Sequence, residues 1–182
     1  MVYAPAEDSY LLEKEIKSSL ADLKRKEELL VLDMGAGSGI QARACIDLGI
    51  SRNNVLCADI DENSVKRMQS QGLNSILSDL FSNIKKQAKF DLIIFNAPYL
   101  PEDANEKGID TTAGEEGYEI ILKFLDQARA HLARNGKILL LFSSLSKPKI
   151  ILNYAKKVEY KYKKLAEQKI FFERLFVYEF SR

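Results

Sequence analysis

Short apolar runs alternate with amphipathic stretches along this chain, and each kind of segment keeps its own period. Leu12, Ile16, Leu20 and Leu23 recur at helical spacing, with Asp8 or Ser9 suited to the N-cap, so a helix is predicted to open the chain. Residues 29–34 read as a buried strand that breaks into Gly35-Ala36-Gly37-Ser38-Gly39 and then into a helix reaching about Leu48. A second strand over 55–60 leads into a helix containing Val65 and Met68. Shorter strands are predicted at 75–78 and 90–95, followed by a long helix near 116–133, a strand at 137–142 and a helix at 147–156. Two last runs, 160–166 and 170–180, flank a polar break and read as a closing antiparallel hairpin. Strands alternating with helices mark a parallel sheet covered on its faces. The expected class is therefore α/β: one doubly wound domain over residues 1–182, its seven-stranded sheet mostly parallel, with a C-terminal antiparallel hairpin.

Composition narrows this picture little. A chain of 182 residues suits one well-buried domain. Lys plus Arg number 27 against 26 acidic residues, and a net charge of +1 neither demands nor excludes a nucleic acid. Cys45 and Cys57 lack metal-ligand spacing, and the single His131 falls inside a helical pattern, so no metal site is assembled from them. Two buried thiols in a reducing compartment are expected. Without a signal-peptide pattern, and with no apolar run approaching the roughly 18 residues of a membrane span, the protein is expected in the cytoplasm.

The glycine turn carries the first chemistry. Gly35, Gly37 and Gly39 follow a central strand and open a helix, so the backbone can come close to a ligand at the carboxyl end of the sheet. A dinucleotide fingerprint needs a third glycine at position 40, where Ile40 stands. Twenty residues beyond Gly39, Asp59 ends the second strand, where a carboxylate can accept both hydroxyls of a ribose, with Ile60 beside it. Asp79 closes the next strand and can accept from an adenine amino group, with Leu80 against the ring; helix capping is the other reading of such an acid. Asp33, Asp59 and Asp79 stand in register with the turn, which fits an adenosine-bearing ligand without a pyrophosphate.

A second constellation follows the strand at 90–95. In Asn96-Ala97-Pro98-Tyr99 the asparagine amide, a backbone carbonyl aimed by the next proline, and an aromatic face together can clamp a planar NH2 group. An amide or exocyclic amine is a poor nucleophile because its lone pair is delocalised. Two acceptors directed at its N–H bonds, Asn96 Oδ1 and the residue 97 carbonyl, oppose that delocalisation, which suits methyl transfer to nitrogen. The same residues also suit an ordinary strand-to-loop turn. Beyond them, residues 102–117 form a long polar connection with Glu102, Asp103, Glu106, Asp110, Glu115 and Glu116 against Lys107. Such a loop is expected to border the substrate entrance as an acidic rim, a solvated loop with no part in recognition being the other reading.

With these residues in hand, the sequence resembles the class I S-adenosylmethionine-dependent methyltransferases. Within them it is similar to the HemK-type glutamine N5-methyltransferases of peptide-chain release factors, above all their short archaeal and eukaryotic branch. Three segments carry the resemblance: Tyr3-Ala4-Pro5-Ala6-Glu7-Asp8-Ser9, residues 33–39, and Asn96-Ala97-Pro98-Tyr99. It implies a Rossmann-like methyltransferase fold and S-adenosylmethionine as cofactor. Ser9, Asp33, Gly35, Gly37, Gly39, Asp59, Ile60, Asp79, Leu80 and Asn96 would hold that cofactor, helped by the helical segment 1–28. The substrate amide would fall to Asn96, Ala97, Pro98, Tyr99 and Leu100, with Asn96, Pro98 and Tyr99 catalytic. It also implies a small zinc-binding activator protein paired along a sheet edge, for which 75–78 is the expected strand.

Two departures stand out. The family clamp is usually Asn-Pro-Pro-Tyr, and Ala97 in the second place removes one φ restraint. Only about 30 residues precede the first strand, too few for the helical recognition domain of the bacterial relatives. Two other readings remain open: adenine N6 or guanine N2 methylation of RNA or DNA, with Lys156, Lys157, Lys161, Lys163 and Lys164 tracking phosphates, and a non-catalytic binding module.

Overall fold

The computed structural model describes residues 6–98 and 117–182. In chain order the described elements are α1 (Glu7–Leu20), β1 (Val31–Met34), α2 (Ile40–Asp47), β2 (Val55–Asp59), α3 (Glu62–Ser70), β3 (Ser75–Leu77) and β4 (Phe90–Asn96). After the undescribed stretch come α4 (Glu119–His131), β5 (Leu132–Ser143), α5 (Pro148–Lys157), β6 (Lys161–Ile170) and β7 (Glu173–Ser181). The strands form one seven-stranded sheet in the order β3-β2-β1-β4-β5-β7-β6. Strands β1 to β5 pair in parallel, while β7 lies antiparallel to both β5 and β6. The expected α/β class with a C-terminal hairpin is what the chain adopts.

Side-chain alternation divides the core into two layers. On one face Leu32, Met34, Ile93, Phe95, Ile138, Leu140 and Phe142 pack against α4 and α5. Their neighbours Val31, Leu92, Ile94, Leu139 and Leu141 point the other way, onto α1, α2 and α3. Successive strand residues face opposite sides, so a central strand covered on both faces must be apolar throughout, which is why β1, β4 and β5 read as continuous runs. Within the cores, Leu12, Ile16, Phe124 and Leu125 are fully buried, and each such side chain contributes roughly 1.5–3 kcal/mol of transfer free energy.

The connection order matters most for function. From β1 the chain winds outward through β2 to β3, then crosses back to β4 on the other side of β1. In such sheets the crevice outside the carboxyl ends of the strands, where the winding reverses, is the natural ligand site.

Several expectations change. The N-cap of α1 is Ala6, with Asp8 and Ser9 inside the first helical turn and buried, and Leu23 lies beyond the helix, half exposed. Strand β5 begins at Leu132, directly after α4, because it pairs with β4 from Phe90 onward. The polar stretch 167–169 is not the hairpin turn: it pairs with β7, and Phe171-Phe172 forms the two-residue turn. Both rings are almost fully solvent-exposed, which the periodicity of the chain does not reveal. Tyr99, Leu100, the segment 102–116 and residues 1–5 lie outside the described residues, so the acidic rim and the aromatic member of the clamp do too. Cys45 and Cys57 are free and buried, as expected. No helix among the described residues is long and apolar enough to cross a membrane.

Candidate active site

Register places the candidate residues. Met34, the last residue of β1, pairs with Ala58 on one side and Phe95 on the other. Asp59 and Asn96 are each one step further along, so they flank the turn that starts at Gly35. Two strand spacings of about 4.8 Å put their backbones roughly 10 Å apart. Leu77 pairs with Asp59, which brings Ser78 and Asp79 to the same edge. The glycine turn, two of the three acids and the start of the clamp thus share one rim of the sheet, with Asp33 just inside it.

All three glycines have positive φ, 58° at Gly35, 51° at Gly37 and 75° at Gly39, a region that costs other residues about 1–2 kcal/mol. They differ in surroundings. A Cβ on Gly35 would sit 3.2 Å from Phe95 Cε2, and one on Gly39 would sit 2.6 Å from Leu73 Cδ1. A Cβ on Gly37 would meet nothing nearer than the Gly35 carbonyl at 3.9 Å. The protein's own packing leaves the space over Gly37 open, as a cradle for a ligand requires.

The acids do different jobs. Asp59 is braced rather than free: Gly37 N–H donates to its Oδ2 at 2.6 Å and Asp61 N–H to its Oδ1 at 2.9 Å. It fixes the turn, and burial still raises its pKa above the usual carboxylate value. Beside it Ile60 is half exposed, an apolar surface suited to a flat ring. Asp33 is 1% exposed and accepts from the Ala42 amide at 3.0 Å, tying β1 to the first turn of α2. Its burial pushes the carboxyl up to about 7. Asp79 is half exposed with Lys123 Nζ at 3.1 Å, while Leu80, at φ 47°, is buried in the core on the α4 side.

Asn96 ends β4 with its carboxamide divided. Its Nδ2 donates to Asp8 Oδ2 at 2.9 Å, while its Oδ1 is buried and has no partner among the described residues. Ala97 is buried, with its amide bonded to the Leu141 carbonyl. Ser9 is buried in the first turn of α1, its hydroxyl donating to Asp8 Oδ1 at 3.3 Å. Gln41 belongs here too: its Nε2 donates to the Ser9 carbonyl at 2.9 Å, and its Oε1 is buried with no partner among the described residues. Sequence reasoning missed Gln41, since a glutamine on a short helix looks solvated until α1 packs over α2. It placed Asp8 only as a cap. An open depression of about 540 Å³ beside the hairpin turn, lined by Ser144, Lys169, Phe171, Phe172 and Arg174 among others, contains neither Asn96 nor any of these acids.

A buried, unpaired acceptor costs roughly 1–3 kcal/mol, so two of them beside an open glycine turn fit donors that a ligand brings. An adenosine-bearing cofactor with a charged amino-acid arm carries such donors, and the residues present fit it.

Comparison with known proteins agrees with this geometry. A Methanocaldococcus jannaschii protein provisionally named a protein N5-glutamine methyltransferase is 35% identical, over 97% of this chain and 89% of its own. The mouse methyltransferase HEMK2 is 27% identical over 85% of this chain and 78% of its length. Among solved structures, the Encephalitozoon cuniculi (E. cuniculi) Mtq2-Trm112 complex, described as responsible for methylation of the eRF1 translation termination factor, superposes with a TM-score of 0.78 at 24% identity, covering 99% of this chain and 98% of the other. The family model for the methyltransferase small domain matches residues 17–171, and with it this chain belongs to that family of methyltransferases.

Proposed function

We propose that this protein transfers a methyl group from S-adenosylmethionine to the side-chain amide nitrogen of a glutamine, in the Gly-Gly-Gln loop of a peptide-chain release factor. The observation that carries the reading is the buried, unpartnered Asn96 Oδ1 at the end of β4, level with the glycine turn. The names of the M. jannaschii relative and of the E. cuniculi complex support the choice of substrate.

When bound, the cofactor would supply an electrophilic methyl group, its sulfur–methyl bond breaking as the bond to nitrogen forms and its sulfur leaving as a neutral thioether. The chain's own residues do the rest. Gly35, Gly37 and Gly39 let the backbone approach the ligand, Asp59 and Ile60 receive its sugar and base edge, and Asp79, Leu80 and Ser9 complete the pocket. Asp33 holds β1 and α2 in place behind the turn. Asn96 Oδ1 accepts one N–H of the substrate amide and the Ala97 carbonyl the other, so the nitrogen keeps its lone pair for attack. As the N–C bond forms, the spare amide proton grows acidic and leaves to solvent, and no tuned base is required. Tyr99 and Leu100 would cover the planar group. Catalysis is then mainly positioning plus two charge-building hydrogen bonds.

In this reading the whole chain is one catalytic domain, with α1 closing the cofactor site, working in the cytoplasm. A small zinc-binding activator would pair along β3. That strand is a sheet edge, and Leu77 on it is half exposed.

The test is methyl transfer from labelled cofactor to a release factor, with and without the activator. Label should be lost with Gln→Ala in the target loop. Asn96→Ala should lower kcat by about 10²–10³ by analogy with loss of one oxyanion-hole donor, and weaken cofactor binding far less than it slows turnover. Label that persists after Gln→Ala, or that goes instead to an RNA pool with steep salt dependence, would overturn the assignment.

A further inference from the structure

We infer that Asp8 is a positioning residue that fixes which way the Asn96 carboxamide faces. The inference rests on the reading that Asn96 Oδ1 accepts from the substrate. The two ends of an asparagine carboxamide have nearly the same shape, so packing alone hardly distinguishes its two orientations. Only one of them can polarise a substrate N–H. The other would point the Asn96 NH2 at the substrate NH2, donor against donor.

The structure supplies the discriminator. Asp8 is 3% exposed and lies 88 residues away in sequence, carried to the end of β4 by the first turn of α1. An ionised carboxylate accepts hydrogen bonds and donates none. Placed 2.9 Å from one end of the Asn96 amide, Asp8 Oδ2 accepts from Nδ2 and repels Oδ1, which is left buried with no partner among the described residues. Asp8 Oδ1 in turn receives the Ser9 amide at 2.6 Å and the Ser9 hydroxyl, which hold the carboxylate itself in place. The same turn treats a second amide alike: the Ser9 carbonyl takes Gln41 Nε2 and leaves Gln41 Oε1 without a partner among the described residues. This explains why an acid is buried beside the clamp when the transfer needs no base.

Asp8→Asn keeps the size of the side chain but can both donate and accept, so it satisfies either orientation of Asn96. At saturating cofactor, kcat should fall about 2-fold or more, because with both orientations satisfied alike about half of the enzyme presents the wrong end. Melting temperature and cofactor affinity should hold. In an Asn96→Ala background, adding Asp8→Asn should leave kcat unchanged, since Asp8 acts through Asn96. A full further loss in that background, or wild-type kcat for Asp8→Asn alone, would overturn the inference.

A readout without substrate accompanies the kinetics. With asparagine labelled by 15N, the Asn96 side-chain NH2 signal, identified by its loss in Asn96→Ala, should show one proton slow to exchange with solvent in the unaltered protein. Asp8→Ala, or Asp8→Asn if the alanine variant does not fold, should speed that exchange several-fold. Equal exchange would overturn the inference even if the release factor proved not to be the substrate. Wild-type protein inactive on the release factor, with the exchange difference present, would instead count against the substrate assignment alone.

Discussion

Asp33 gives the sharpest quantitative expectation. Its carboxyl is buried in β1, where burial outweighs the one hydrogen bond from Ala42 and raises its pKa from 3.8 to about 7, with Asp59 adding to the rise. An acid whose folded-state pKa is raised binds its proton more tightly when folded. The folded state therefore holds more protons than the unfolded chain between 3.8 and about 7, and stability falls as pH rises through that window, levelling off above it. At roughly 1.36 kcal/mol per pH unit the whole window is worth about 4 kcal/mol, of which about 3 kcal/mol lies above pH 5. Asp33→Asn keeps an oxygen for the Ala42 amide and never ionises. Its new NH2 group costs roughly 1–3 kcal/mol if unpaired, equally at all pH values, so it shifts the curve without tilting it. Urea unfolding of both proteins without cofactor, at intervals from pH 5 to 8, tests this. The stability of the unaltered protein should fall relative to the variant by about 3 kcal/mol. Groups that do not interact with Asp33 contribute alike to both and drop out of the comparison, while the repulsion from Asp59 is part of the shift being measured. Parallel curves would refute the argument that burial dominates at Asp33.

Two further outcomes follow from backbone conformation. Gly39→Ala places a Cβ 2.6 Å from Leu73 Cδ1 at a φ of 75°; the leucine tip can yield but the dihedral cannot, so thermal unfolding should show a loss of at least about 1–2 kcal/mol. Phe171, with φ 36°, is the first residue of the β6–β7 turn, a position that favours glycine when φ is positive. Phe171→Gly relieves about 1–2 kcal/mol of strain and adds back only about 0.5–1 kcal/mol of chain entropy, so the melting temperature should hold or rise. A clear fall in melting temperature would mean that the exposed ring makes stabilising contacts.

Periodicity suffices for most of the fold because strands buried on both faces, such as β1 and β4, leave continuous apolar runs that nothing else in a short chain explains. It failed at the hairpin, where Glu167, Gln168 and Lys169 look like a turn but occupy the edge strand β6, whose exposed side tolerates charge, while the two apolar residues form the turn. Tyr99 and the acidic segment beyond it fall outside the described residues, so that half of the clamp rests on the sequence reading.

What the sequence by itself determined were the chemical types and their strand ends: a glycine turn after β1, an acid one residue before the end of β1 and another closing β2, an asparagine closing β4. A strand's carboxyl end is a local property, set by where the apolar run stops. Only the tertiary structure decided the pairings across the sheet. The turn of α1 lies over β4 and α2, so Asp8 meets Asn96 and Gln41 meets Ser9, and two amide oxygens are left buried with no partner among the described residues. Those contacts join residues 88 and 32 positions apart, and helix packing, which no local pattern encodes, brings them together.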